Sequence, residues 1–332
     1  MDQKIGQQTY IGLDTHRETI HGTAVDGDGK EICSHNFPNG EEAMKEFLKE
    51  FNPWNTQIAI EACGLWRGCY KILMKLGYKV KLANPLKCHQ LAKDKKTDKV
   101  DSQILADLLR VKYLPEVYIP SDEILDLRDL TRHKCNLTRF NVRVKNKIKM
   151  SLLREGIKYE DNLWTKEGLV WLKSLNDWKI DDLVSLHELI EKKKKAVEKK
   201  VSSLVGKKSE TKLLKTIPGI GDYGAALIYA EIGDVERFPT IKRLHAYAGF
   251  VPGIYQSGTK TKTIKKKEVN HWLKWIVSQC AGKSTQLKCR FQTHYFKIQK
   301  KKGWKTARKS TERKLLTAVW YVLKEKKPYH ES

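Results

Sequence analysis

Two short apolar runs, YIGLD at 10–14 and IAIEA at 58–62, each carry one carboxylate at or next to the C-terminal end. A charge inside a stretch that seeks burial is costly unless it is paired, hydrogen-bonded or bound to metal. A chain with Asp14 and Glu61 in these places is therefore constrained to bring both strand ends to a site that compensates them.

The flanking pattern supplies such a fold. TIHGTAVD (19–26) alternates, GDGK (27–30) is a turn, and EICSHNF (31–37) resumes, which predicts three antiparallel strands. GEEAMKEFLKEF (40–51) repeats apolar residues with a helical period at Ala43, Met44, Phe47, Leu48 and Phe51. TQIAIEA (56–62) predicts a strand, LWRGCYKILMKLG (65–77) a helix ending at Gly77, YKVKLAN (78–84) a strand, and KKTDKVDSQILADLLR (95–110) a further helix. The order β-β-β-α-β-α-β-α is that of a ribonuclease-H-like fold, an α/β mixed sheet with helices on its faces. In that order strands one and four are neighbours, so Asp14 and Glu61 lie side by side.

The last of these helices brings two more carboxylates, Asp98 and Asp101, on a face that continues to Leu105 and Leu108. Four carboxylates at one place repel, and divalent cations relieve the repulsion. Oxygen ligands favour Mg²⁺ or Mn²⁺, and two such ions about 4 Å apart can clamp a phosphodiester. Each acid also has a local reading. Asp98 suits a helix cap, Asp101 suits a first helical turn, and Asp14 or Glu61 can simply end a strand. Asp26 and Asp28 are turn residues, and Asp107 lies on another face.

Charge separates the rest of the chain. The net charge is +25, and residues 207–332 hold 28 Lys and Arg against nine Asp and Glu, whereas 1–115 and 116–206 are nearly balanced. So basic a segment calls for a polyanion, of which nucleic acid is the commonest. No run of about 18 apolar residues predicts a membrane span, and no charged-then-apolar leader precedes the first strand. Seven scattered cysteines without a CxxC pair predict reduced thiols in the cytoplasm and no zinc site.

Three segments follow: 1–115, the sheet domain; 116–206, helical; and 207–332, mostly helical and basic. In the middle, Leu183, Leu186, Ile190, Val197, Val201 and Leu204 form a heptad-like stripe interrupted by Lys192–Lys195, which predicts a coiled-coil arm with a solvated lysine face. IPGIGDYGAALI (217–228) has the pattern of a helix-hairpin-helix. Its Gly219–Gly221 turn allows close backbone approach, and the following helix start can hold a phosphate. VPGIYQSGTKTKTIKKK (251–267) reads as a polar, flexible stretch. Ser257 has no legible histidine-based activator there, while Lys260, Lys262, Lys265, Lys266 and Lys267 suit phosphate contacts.

Together these pieces resemble the DEDD-type transposases of bacterial and archaeal insertion sequences that use a catalytic serine, the bridge-RNA-guided recombinases. YIGLDTHRETI, IAIEACG and KTDKVDSQILADLL carry the resemblance at the N-terminus, which it implies is RuvC-like. TIPGIGDYGAALIYAEIGDVERF, AYAGFVPGIYQSG and KEVNHWLKW carry it at the C-terminus. It implies a catalytic set of Asp14, Glu61, Asp98 and Asp101 with Ser257 as nucleophile. One departure stands in KEVNHWLK, where Val269 replaces the usual glycine and Lys274 the usual arginine. Lysine keeps the charge but loses two-pronged phosphate geometry.

The resemblance further implies a dimer or tetramer that binds a structured non-coding guide RNA, which selects donor and target DNA by base pairing. The carboxylates hold metal at the scissile phosphate, Ser257 attacks it, and strand exchange follows from a composite active site. Two other readings use fewer of the residues. A RuvC-like structure-selective nuclease needs the carboxylates and no serine. A non-catalytic nucleic-acid-binding protein needs neither.

Overall fold

Five strands form one mixed sheet in the order β3-β2-β1-β4-β5. They are β1 (Thr9–Thr15), β2 (Thr19–Val25), β3 (Glu31–Pro38), β4 (Thr56–Glu61) and β5 (Lys79–Ala83). The first three pair antiparallel, and β4 and β5 run parallel to β1. Strands one and four are thus neighbours, as expected. The computed structural model describes residues 8–91, 97–206, 208–257, 260–264 and 268–331, and for 254–257 and 260–264 only the backbone.

Alternation along β1 and β4 assigns their faces. Ile11, Leu13, Ile58 and Ile60 pack with Met44 and Leu48 of α1 (Glu41–Leu48) and with Cys69 and Leu73 of α2 (Trp66–Lys75). Ala59 and Ala83 face the other way, onto Cys88 of α3 (Pro85–Leu91) and Leu105 and Leu109 of α4 (Asp98–Arg110). Helix α3 was not foreseen, and the stripe buried on α4 is Ser102, Leu105, Ala106 and Leu109 rather than one through Leu108. Between β2 and β3, Asp26 accepts from the backbone N–H groups of Asp28 and Lys30, the turn role expected of it.

The chain divides into two units, Met1–Ile119 and Pro120–Ser332. The second is built on α5 (Asp122–Arg154) and α7 (Trp178–Val205), joined through α6 (Lys166–Ser174). Leu127 of α5 packs near Val197, Val201 and Val205, whereas Ile148 and Leu152 pack near Ile180 and Val184, so the two helices run antiparallel. The buried stripe of α7 is Ile180, Val184, His187, Ile190, Val197, Val201 and Val205. Leu186 and Leu204, expected in the stripe, are exposed. Ile190, Val197 and Val201 hold their expected places, and His187 takes the position expected of Leu186, with its Nδ1 meeting Asn141 Oδ1 at 2.6 Å.

The same unit continues with α8 (Ser209–Lys215), α9 (Asp222–Ile232), α10 (Ile241–Tyr247), α11 (His271–Ser284) and α12 (Arg290–Glu325). Its core gathers Leu214, Leu227, Ile228, Leu273, Val277, Phe291, Leu316 and Val319. The stretch read as flexible is a hairpin, β6 (Gly253–Ser257) against β7 (Lys260–Ile264). Helix α12 breaks at Gly303, and His294 meets Ser310 at 2.8 Å, so its two arms fold back on each other. No helix among the described residues is long and apolar enough to cross a membrane.

Candidate functional site

The C-terminal ends of β1 and β4 open into a cleft of about 390 Å³ lined by Asp14, His16, Glu61, His89, Asp98 and Asp101, among others. The β1–β4 register pairs Leu13 with Ile60, so one residue further on it sets Asp14 beside Glu61. All four predicted carboxylates therefore line one opening.

Helix α4 reaches the sheet because Gly12 has no side chain. A Cβ there would stand 1.9 Å from the Ser102 carbonyl oxygen and 2.7 Å from the Ala106 nitrogen. The contact is fixed further by a buried hydrogen bond between Thr23 and Ser102 hydroxyls at 2.7 Å. The capping role belongs to Thr97, whose side chain accepts from the Val100 N–H, so neither Asp98 nor Asp101 is needed as a cap.

Asp14 is buried, and burial pushes its carboxyl above the usual carboxylate range. His16 opposes this by charge and hydrogen bond, while Asp98 and Asp101 add to the rise. His16 Nε2 lies 3.2 Å from Asp14 Oδ2 and 3.4 Å from Asp98 Oδ1. Asp14, His16 and Asp98 place ligand atoms within 4.8 Å of one another. Hard oxygens with one imidazole, held partly out of water around a strained negative charge, fit a divalent cation. His16 was not foreseen. Its signal is its place just past the strand end, two residues after Asp14.

The other candidates lie in the second unit. Ser257 ends β6 and pairs with Lys260, and Lys262 pairs with Tyr255. Lys265, Lys266 and Lys267 lie outside the described residues. Gly219, at φ +92°, makes its close approach to α11, where a Cβ would stand 2.6 Å from the Cys280 carbonyl oxygen. Gly221 precedes α9 as its N-cap with open space beside it. Lys274 donates to the Gly249 carbonyl at 3.1 Å, so part of its donor capacity is used within the fold.

A second charged cluster was also missed. Glu231, fully buried on α9, accepts from Arg132 Nε at 2.7 Å and Nη2 at 2.8 Å, and from the Asn270 amide at 2.8 Å. Asn270 also caps α11, bonds the Tyr247 hydroxyl, and donates its backbone N–H to the Tyr247 carbonyl at 2.7 Å. The two ends of the segment that holds β6 and β7 are thereby tied together.

Comparison with known proteins places the chain among transposases. Residues 11–156 match a transposase family of the DEDD type from IS110 elements, and residues 211–296 match the transposase IS116/IS110/IS902 family. A protein named as a transposase in Sinorhizobium fredii is 25% identical over 72% of this chain, which spans 60% of that relative's length. The transposase for insertion sequence element IS1533 of Leptospira borgpetersenii is 26% identical, over 73% of this chain and 75% of its own. The pilin gene-inverting protein of Moraxella bovis is 26% identical, over 76% and 74%.

Proposed function

Because the chain belongs to the DEDD-type family of IS110 insertion-sequence transposases, we propose that it cuts and rejoins DNA as a transposase-recombinase. The observation that carries this reading is the convergence of Asp14, Glu61, Asp98 and Asp101 on one cleft, with helix capping already supplied by Thr97. The carboxylate chemistry belongs to 1–115, assembly to 116–206, and the serine and backbone contacts to 207–332.

Asp14, Glu61, Asp98 and Asp101 would hold Mg²⁺ or Mn²⁺. When bound, such an ion neutralises charge on the scissile phosphate and polarises it toward attack. Ser257 supplies the nucleophile. Its oxygen bonds to phosphorus, one phosphorus–oxygen ester bond of the DNA breaks, and the serine proton passes through solvent to the departing hydroxyl. One ester replaces another, so rejoining by the reverse attack needs no outside energy source.

Lys260, Lys262, Lys265–Lys267, Lys274 and the Gly219–Gly221 turn, read as a helix-hairpin-helix, hold nucleic-acid backbone without reading sequence. Sequence choice falls to a structured guide RNA. The antiparallel α5–α7 pair is the coiled-coil arm of a dimer or tetramer, a reading supported by Phe140, Leu186, Leu189 and Leu204 left exposed along it.

The test is a denaturing-gel assay for protein–DNA adducts on DNA carrying the element ends. Wild type is expected to give a metal-dependent adduct. Ser257→Ala binds the same DNA and RNA without an adduct, and Asp101→Asn gives none. Cleavage by wild type without any adduct favours the structure-selective nuclease. An adduct in Ser257→Ala removes the serine from its role.

A further inference from the structure

A second cleft, of about 540 Å³, lies in the C-terminal unit between α11 and the folded-back arms of α12. Gln279, Lys283 and Gln286 line one wall, and Tyr295, Trp304 and Arg308 the other. Trp304 follows the break at Gly303 and leaves 55% of its surface in water. Arg308 is held in place from behind. Its Nη2 donates to Ser278 Oγ at 2.9 Å, and its Nε to Glu312 Oε1 at 3.3 Å, with Glu312 buried. A fixed guanidinium plane and an exposed indole are two flat surfaces, and the glutamine amides offer donors and acceptors between them.

Apart from Glu312, which is buried behind Arg308, the setting is positive. Residues 269–311 contain eleven Lys and Arg and no Asp or Glu. Lys300, Lys301, Lys302, Lys305 and Lys309 are exposed around the α12 break. A second copy of this surface would set like charge against like, so a self-interface does not suit it. An aromatic stacking platform within a positive funnel is the chemistry that holds unpaired nucleic acid. A duplex keeps its base faces stacked and offers none to an indole.

We propose that this cleft binds an unpaired DNA base, stacked on Trp304 and Arg308, with the flanking phosphates on the lysines of the α12 turn. The choice of DNA rests on the recombinase reading above, since strand exchange unpairs DNA. The cleft gives the enzyme a hold on the displaced strand that uses neither the carboxylates nor Ser257.

The test uses the full-length Ser257→Ala protein without added metal, so that it does not depend on cleavage. Fluorescence anisotropy would compare oligothymidylate and oligouridylate of about 20 nucleotides with a duplex of equal length. Trp304→Ala should weaken oligothymidylate binding about 5- to 150-fold and leave duplex binding within about twofold, and Trp304→Phe should restore most of the loss. Replacing Lys301, Lys302 and Lys305 with Ala together should weaken both DNAs and flatten the salt dependence. An iododeoxyuridine oligonucleotide should crosslink to the peptide containing Trp304. Equal loss on duplex and single strand, no loss on oligothymidylate, or a loss confined to oligouridylate would each overturn the proposal. A wild type that forms no covalent adduct would sink the serine mechanism and leave these binding results standing.

Discussion

Arg132 grips Glu231 through two hydrogen bonds, to Oε1 at 2.7 Å and Oε2 at 2.8 Å, and the glutamate has no exposed surface. The two residues join α5 to α9, ninety-nine positions apart in the chain. Asn270 adds the start of α11 to the same carboxylate. A fully buried carboxylate of this kind is costly to leave without its cation.

Arg132→Met should therefore destabilise the protein by about 3–5 kcal/mol, because Glu231 is left buried without its main partner. The double replacement Arg132→Met with Glu231→Met should cost less than the single one. Urea unfolding of the three proteins checks this, and a double variant no more stable than Arg132→Met would contradict it.

Gly12→Ala should move α4 off the sheet, since the new methyl would occupy the place of the Ser102 carbonyl. Overpacking of this kind costs about 1–3 kcal/mol. It should also weaken Mn²⁺ binding by separating Asp98 and Asp101 from Asp14, a change that electron paramagnetic resonance titration would read directly. Unaltered Mn²⁺ affinity with lowered stability would separate the packing role from the site.

Asp14→Asn should lower metal-dependent strand cleavage by about a hundredfold or more and yet stabilise the metal-free protein at neutral pH. Burial raises the folded-state pKa of Asp14 above its ordinary 3.8. Stability from this group is then fully present below pH 3.8 and is lost as pH rises through the folded value, so ionised Asp14 is a penalty at pH 7. The advantage of Asp14→Asn in thermal melts should shrink as pH falls toward 3.8. Added Mn²⁺ should stabilise wild type more than Asp14→Asn.

Gly219→Ala should destabilise by more than about 1 kcal/mol, because its backbone is left-handed and the new carbon would strike α11. Gly221→Ala, with open space around it, should cost little beyond helix-cap preference. Thermal unfolding of the two variants side by side tests the contrast.

The sheet was readable because its signals are local. Alternation in β2, the Asp26 turn and the helix ending at Gly77 need no distant partner, and they bring Asp14 and Glu61 together once the strand order is known. Features that depend on remote contacts were not readable. Glu231 sits in an alanine-rich helix and is explained by its remote partners Arg132 and Asn270. Gly12 passes for an ordinary member of an apolar run until Ser102 is placed above it. In the α7 stripe Ile190, Val197 and Val201 were readable, whereas His187 displaces Leu186 because it is buried through Asn141, a bond invisible to apolar periodicity. In β7, KTKTI does alternate, but its lysines and the neighbouring glycines read as loop. The basic tail hid two helical arms because its hydrophobic residues, among them Phe291, Leu315 and Val319, are diluted by lysine.

The bond from Asn270 N–H to the Tyr247 carbonyl gives the chain between them a common point of departure and return. Ala248, buried in the core, and Phe250, packed against it, belong to the anchors, so changes confined to residues 254–267 should leave the helices on either side in their seats. Each doubling of such an excursion adds only about 0.6 kcal/mol of closure entropy. The segment bearing Ser257 is thus an exchangeable cassette: its reach and chemistry can be altered in the laboratory without asking the core beneath it to refold.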